Sequence, residues 1–346
     1  MKSIEPKLIE SIIKQSLSKQ HIHGIILQLE TSSGDFQFKH AVGNLETDSR
    51  YYIASINKFI VSAIILRMIR DKKLKFDDHL VDFLPVNYQQ GLHVLNHVDY
   101  TKDITIQHLL SQTSGLPCYL SDKPKHGISG IRELEAGIDR PWPMNEILQR
   151  VKKQTPHFIP GAPNKAKYID TNHQLLSFVI EKIEQKPVRN VLNDLFLELQ
   201  MNHTYVCQDI NDTSYVFPYY KNRVADIRNF TASTNNDIIS TSDDQMTFVK
   251  RFYEGYFYPK NQLKDLQVWH NIFFPFKYGI GVQQFYTPRI LSPFKTIPDM
   301  EGHCGSTGTV AFYIESLDLF ITGTTNQQSN PGAVFQTILK IIHHML

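Results

Sequence analysis

Tyr51-Tyr52-Ile53-Ala54-Ser55-Ile56-Asn57-Lys58 runs directly into Phe59-Ile60-Val61-Ser62-Ala63-Ile64-Ile65-Leu66. The first residues read as a short strand-like approach, the rest as a buried helix that opens with Ser-x-x-Lys. Residues three apart on a helix share a face, so Ser55 and Lys58 should stand side by side at its start. A Lys held against a Ser, partly out of water, can lose its proton and activate the hydroxyl. The stretch therefore points to a serine acyl-transfer enzyme. Free Lys has a pKa of about 10.4, so action near neutrality requires burial or a neighbouring positive charge to depress that of Lys58.

Spacing alone decides little, because the quartet occurs four times: Ser11/Lys14, Ser16/Lys19, Ser55/Lys58 and Ser292/Lys295. The first two fall in a polar, amphipathic segment and read as solvated surface. The last contains Pro293, which suits a turn. Only Ser55 heads a long apolar helix.

A length of 346 residues suggests two domains, or one large two-lobed unit. At 41% hydrophobic and 20% charged residues the chain reads as a soluble globular protein with a sizeable core. A net charge of +2 gives no reason to expect nucleic acid or an anionic membrane as partner. The 15 His residues are scattered, with His21-Ile-His23 reading as strand alternation, and no zinc spacing appears. Three Cys residues, Cys118, Cys207 and Cys304, cannot build a disulfide framework and fit a reducing compartment, or simply a fold that needs no bridges. Leu8, Ile9, Ile12, Ile13 and Leu17 make one helical face rather than a signal-peptide core. The longest apolar run, 59–66, is too short to span a bilayer. We therefore expect no metal, no cofactor and no membrane span. The chain as given reads as cytoplasmic, or as exported if a signal was removed.

Gly24–Thr31 and Asp35–Val42, joined through Ser32-Ser33-Gly34, read as a hairpin. After the Ser55 helix the chain is mostly helix or loop: 104–111, 144–153, 171–185 and 188–199. Ser242-Asp243-Asp244-Gln245 reads as a capping box opening a further helix to about Tyr253. Strand signals return at 278–285, 308–315 and 319–325, and a helix over 333–344 closes the chain. Strands at both ends with helices between predict an α+β fold. One antiparallel sheet, flanked by helices, is built from both termini, with an inserted, mainly helical lobe. Residues 1–75 and 225–346 would form the sheet lobe and 76–224 the helical one, with the active site between them. Gln112 to Pro143, rich in Gly and Pro, reads as a long surface loop forming a lip over the cleft.

Two further elements carry chemistry. Tyr168 in Lys167-Tyr168-Ile169-Asp170-Thr171-Asn172 stands just before a helix, where a phenol beside an ammonium can relay protons. Tyr220-Lys221-Asn222 is a rival with no clear helix after it. In Glu301-Gly302-His303-Cys304-Gly305-Ser306-Thr307-Gly308 the small residues allow a strand edge to approach a substrate. An inward His303 could bind or polarise that substrate, while Cys304 should face the other way and pack.

Ser55-x-x-Lys58, Tyr168-x-Asp170 and His303-x-Gly305, in that order, resemble the three motifs of the serine β-lactamase-like and penicillin-binding superfamily. The likeness spans about residues 20–345 and includes Ile104 to Pro117, Leu199 to Thr204, Ile239 to Asp243 and Tyr278 to Gly281. The nearest branch looks like class C β-lactamases, D-aminopeptidases, D-alanyl-D-alanine carboxypeptidases and related esterases. The resemblance implies that Ser55 attacks a carbonyl, that Lys58, alone or with Tyr168, takes its proton, and that Tyr168 protonates the leaving group. It also implies an oxyanion site at the backbone N–H groups of Ser55 and Ser306, with Asp170, His303 and Gly305 binding substrate.

Two departures bear on substrate. Asp170 stands where Asn is usual, and His303 where Lys is common. Gln200 and Asn236-Asp237 also stand where the family often has Gly. Without a permanent cation at position 303, short esters or peptides read from an amino end should be cleaved better than β-lactams. The expected partner is thus a small ester, peptide or β-lactam. A β-lactamase or penicillin-binding carboxypeptidase, a non-catalytic cell-wall-peptide binding module, and a structural relative with a vestigial cleft are the competing readings.

Overall fold

The structure, a computed structural model, describes residues 4–289 and 295–346. Its frame is an eight-stranded antiparallel sheet ordered His270–Phe273, Phe276–Tyr278, Gln283–Phe285, Met300–Cys304, Thr309–Ile314, Leu319–Thr324, Gly24–Thr31, Gln37–Gly43. The first strand of the chain pairs with the last, Ile26 opposite Thr324 and Leu29 opposite Ile321. The sheet is therefore built from the two ends of the sequence, as expected.

Side chains on a strand alternate between its faces. Ile25, Leu27 and Leu29 accordingly join Phe312, Ile314 and Ile321 under the two terminal helices, Pro6–Gln15 and Ala333–Met345. Ile26, Ala311 and Phe320 face the opposite way, into the larger core around Ile56–Arg70 and Ser242–Glu254. The helix Ile56–Arg70 is buried nearly all round, which is why its sequence is apolar without a polar face. Phe59 meets Phe248 and Phe252 edge-on at 5.1 and 4.5 Å. On another side Ser62 Oγ lies 3.1 Å from His173 Nε2 of the helix Asp170–Glu184.

Several local readings are corrected. The segment 278–285 is not one strand. It turns at Gly281, whose φ of +76° lies in the left-handed region and whose Cβ, were there one, would lie 2.8 Å from Ser62 Cβ. Thr241 rather than Ser242 caps the helix that follows, its side chain accepting from Asp244 N. His21 has φ +65° and the strand begins only at Gly24. Leu8, read as part of one helical face with Ile9, Ile12 and Ile13, is exposed while those three are buried. Ser16 and Lys19 are not free surface groups. Ser16 Oγ lies 2.6 Å from Thr337 Oγ1, and Lys19 Nζ donates to Ala333 O at 2.8 Å, tying the terminal helices together. Ser292 and Pro293 lie outside the described residues. The segment 112–143 contains the helix Gly130–Glu135 and the fully buried Trp142, so it is a packed element rather than a plain loop.

The strand-like approach to Ser55 pairs as a short strand, Tyr51 opposite Ser240 and Tyr52 opposite Ile239. That pairing brings the Asp237 region beside the start of the Ser55 helix.

Candidate active site

Ser55 caps the helix Ile56–Arg70, and the residue before it, Ala54, has φ +47°. Non-glycine residues rarely take this conformation, which costs on the order of 1 kcal/mol or more unless the surroundings enforce it. Here Ile53 N donates to Ile238 O at 3.1 Å and Asn57 N to Ala54 O at 3.1 Å, fixing both sides of the bend. The bend presents Ser55 at the wall of a cavity that Lys58, Tyr168, Asp170 and Ser306 also line.

The helical spacing places Lys58 Nζ 2.9 Å from Ser55 Oγ. Lys58 is only 6% exposed. Its second partner is Asp170 Oδ1 at 2.8 Å. Burial alone would lower the Lys58 pKa, but Asp170, with a smaller contribution from Asp237, outweighs it and holds the ammonium above its ordinary range. Burial likewise works to raise Asp170, and Lys58 reverses it, so this carboxyl lies below its usual range. Both groups are thus ionised at rest. The depressed Lys58 that the sequence called for is replaced by the opposite, because Asp170 supplies a counter-charge that an Asn would not.

Cys118 holds the other carboxylate oxygen, its Sγ donating to Asp170 Oδ2 at 3.1 Å. Burial first, and then Asp170, pushes the Cys118 thiol up to about 12, so it stays a donor. Nothing in the sequence around Cys118 marks it; folding of the 112–143 segment against Asp170 creates the contact.

Tyr168 stands two residues before the helix Asp170–Glu184, with Lys58 Nζ 5.5 Å from its ring centroid. Its hydroxyl is buried and makes no hydrogen bond of ordinary geometry among the described residues. Burial, then Asp170, raises its pKa well above the usual value, and the nearby Ser55 only partly opposes this. Tyr168 is a neutral phenol, fitted to pass a proton rather than to begin as base. Tyr220 lies elsewhere, in a short hairpin with Arg223.

His303 does not line the cavity. It is fully buried behind Tyr168 and Tyr278, at ring centroid distances of 6.1 and 5.6 Å. Its Nδ1 lies 2.8 Å from Cys304 O, an acceptor only, so Nδ1 carries the proton and Nε2 accepts from Tyr278 Oη at 3.2 Å. Burial, then Lys58, pushes its pKa down to about 3. A substrate-binding imidazole that charges in mild acid is therefore replaced by a neutral support for the tyrosine pair. Cys304 faces away and packs under the terminal helices, as its alternation predicts.

Gly305 also lies outside the cavity lining. Its Cβ would fall 2.6 Å from Ile53 O, so the glycine permits close approach of strand and Ser55 segment, not of strand and substrate. Gly305 N donates to Thr309 O at 2.8 Å and Gly308 N to Gly305 O at 3.0 Å, closing a turn. Ser306, in that turn, is exposed at the cavity. Neither Ser306 N nor Ser55 N donates to a protein acceptor among the described residues.

The sequence reading missed Asp237 as a site residue. It is 4% exposed and lines the same cavity. Tyr52 Oη donates to its Oδ1 at 2.6 Å, Asn57 Nδ2 lies 3.4 Å from the same oxygen, and Thr234 Oγ1 bonds its Oδ2. Burial raises its pKa above the ordinary value despite these donors. Its place in a stretch where the family often has Gly was the available signal. Among the described residues no cluster of His, Cys, Asp and Glu could hold a metal, and no helix is long and apolar enough to cross a membrane.

A buried helix headed by a serine, a Lys at hydrogen-bond distance from it, a tyrosine before a second helix and a strand-end turn with a free N–H define a class of protein. The chain belongs to the beta-lactamase family, whose model matches residues 9–343. Among solved structures it is similar to a D-stereospecific amidohydrolase from Streptomyces sp. (21% identity, TM-score 0.76, 96% of this chain and 98% of that one). It is also similar to the D-amino acid amidase of Ochrobactrum anthropi SV3 complexed with D-phenylalanine (17% identity, TM-score 0.77, 98% and 99%). A curated relative, Protein flp of Staphylococcus aureus strain MW2, is 25% identical over 205 residues, 57% of this chain and 37% of its own length. The chain spans less than half the length of the curated relatives it matches.

Proposed function

We propose that the protein is a serine hydrolase that cleaves an ester or amide through an acyl-enzyme on Ser55. The observation that carries this reading is the position of Lys58 Nζ, 2.9 Å from Ser55 Oγ and 2.8 Å from Asp170 Oδ1. As the Ser55 proton leaves, Lys58 must hold it, having passed one of its own to a neighbour or to solvent. Tyr168, with an unpartnered hydroxyl at the same wall, carries a proton to the leaving group and later helps activate water. Removing either group should cost about 10²–10⁴-fold. The free N–H groups of Ser55 and Ser306 would receive the oxyanion, each worth about a hundredfold or more. A vestigial cleft has no use for two unpartnered backbone donors beside a Lys-bonded serine.

Substrate preference follows from charge. Lys58 is committed to Asp170, and His173, the other basic residue lining the cavity among the described residues, is held neutral by burial and by Lys58. No cation is left for the carboxylate of a β-lactam or a C-terminal D-alanine. We therefore favour esters and amides over β-lactams. The test is labelling with a fluorophosphonate followed by peptide mapping, then kcat/KM for a p-nitrophenyl ester against nitrocefin. An adduct on Ser55, absent in Ser55→Ala, and preference for the ester are expected. Label on another serine, or preference for nitrocefin, would overturn the assignment.

A further inference from the structure

We propose that Gln112 is a positioning residue for the reaction: it clamps the chain on both sides of Tyr168 and so aims the phenol at Ser55, where it can pass a proton to the leaving group. This rests on the hydrolase reading and adds the residue that makes its tyrosine effective. Lys167 N donates to the backbone oxygen of Gln112 at 3.0 Å, and Ile169 N donates to its side-chain Oε1 at 2.9 Å. Both neighbours of Tyr168 are thus held by one residue. Asn172 Nδ2, in the first turn of the helix Asp170–Glu184, donates to the same Oε1 at 2.8 Å. A backbone N–H can only donate, so the side-chain atom facing Ile169 is the oxygen.

The need for such a clamp follows from Tyr168 itself. Its hydroxyl makes no hydrogen bond of ordinary geometry among the described residues, so nothing of that kind fixes it at the tip. Phe273, Tyr278 and His303 surround the ring, with centroids 6.1, 6.0 and 6.1 Å away. Apolar packing limits the ring's tilt but is non-directional. Only the backbone end is held by directional bonds, which leaves the hydroxyl free to move a proton. Gln112 is fully buried, and its φ of +62° lies in the left-handed region. A non-glycine residue keeps that conformation only where its surroundings enforce it. Thr113 N donates to His108 O at 3.0 Å and Gly281 N to Leu110 O at 2.9 Å, on either side of Gln112. Gly281 in turn lies against Ser62 of the Ser55 helix. The turn that holds Tyr168 is therefore tied to the helix that carries the nucleophile. The remaining polar atom of Gln112, Nε2, is buried beside the Tyr278 hydroxyl without a hydrogen bond of ordinary geometry, so the two oxygens make the clamp.

Gln112→Met keeps the size and the backbone oxygen and removes Oε1. The readout is kcat/KM for methyl butyrate, whose alkoxide must be protonated as it leaves, and for p-nitrophenyl butyrate, whose phenolate leaves without a proton. The variant should lose at least about tenfold on the methyl ester and less than about threefold on the aryl ester. In a Tyr168→Phe background the same change should cost less than about twofold on the methyl ester, because the group it positions is gone. No loss, equal losses on the two esters, or a loss undiminished in the Tyr168→Phe background would overturn the proposal. Should Gln112→Met not fold, hydrogen exchange of the wild-type protein decides. The Lys167 and Ile169 amides must exchange as slowly as those inside the helix Asp170–Glu184, and fast exchange of either removes the clamp. Slow exchange of both with no fluorophosphonate label on Ser55 would sink the hydrolase reading and leave the clamp standing. Label on Ser55 with fast exchange at either amide would do the reverse.

Discussion

Asp170 and Asp237 are both largely buried, both line one cavity and both act on Lys58, yet their carboxyls are displaced in opposite directions. Burial works upward on each. Asp170 meets an ammonium at 2.8 Å and ends below its usual range; Asp237, hydrogen-bonded by neutral donors and feeling Lys58 without an ion pair, is carried above it by burial. The lesson is that neutral hydrogen bonds do not replace a counter-charge in a desolvated site. One carboxylate is part of a closed ion pair, and the other has hydrogen-bond donors but no ion-pair partner among the described residues.

Removal of the counter-charge tests the comparison most severely. Lys58→Met should cut turnover by about 10²–10⁴-fold. It should also destabilise the fold by about 3–5 kcal/mol, because it leaves Asp170 buried and unpaired. Lys58→Met with Asp170→Asn should recover much of the stability and none of the activity. Thermal unfolding of the single variant indistinguishable from wild type would show that Asp170 is not held by the pair.

Asp170→Asn comes next. With its anion gone, burial dominates at Lys58 and the free amine appears at lower pH. The acid limb of kcat/KM should move toward lower pH, each unit of displacement being about a tenfold gain on the acid side. An unmoved limb would mean that Lys58 is not the titrating base.

Asp237→Asn should leave stability within about 1 kcal/mol of wild type, since an amide can keep both Tyr52 and Thr234 as partners. The sign is set by its raised pKa. A carboxyl raised in the folded state favours folding below its unfolded value and loses that contribution as pH rises through the folded value. The variant should therefore gain on wild type at pH 7 and lose the advantage near pH 3. Clear destabilisation at pH 7 would place Asp237 with Asp170, as a paired carboxylate.

Asp122 sharpens the rule outside the cavity. His157 and Lys167 lie 2.6 and 2.5 Å from its oxygens, and it is held down at about 2 against the desolvation that would raise it. Its stabilising contribution is present above 3.8 and is lost as pH falls toward about 2. Being partly solvated, it should cost only about 0.5–1 kcal/mol when changed to Asn. Equal midpoints for Asp122→Asn and wild type in denaturant titrations at pH 6 would remove it from the paired class.

The sequence by itself determined the sheet built from both termini and the juxtaposition of Ser55 with Lys58. Short strand-forming runs, Gly24–Thr31 and Leu319–Thr324, buried along almost their whole length, and a three-residue helical spacing are local properties that survive any change of distant neighbours. The position of Tyr168 ahead of a helix was legible for the same reason. Tertiary structure alone decided what those groups are. Lys58 is charged because Asp170, 112 residues away in sequence, meets it out of water, and Cys118 reaches the other oxygen of the same carboxylate. His303 is neutral and out of reach because a strand, a hairpin and Tyr168 close over it. Asp237 became a site residue through a two-residue strand pairing that leaves little trace in periodicity. Spacing along the chain fixes which side chains share a face, whereas charge state depends on burial and counter-charge, and both are summed over residues that only the folded chain brings together.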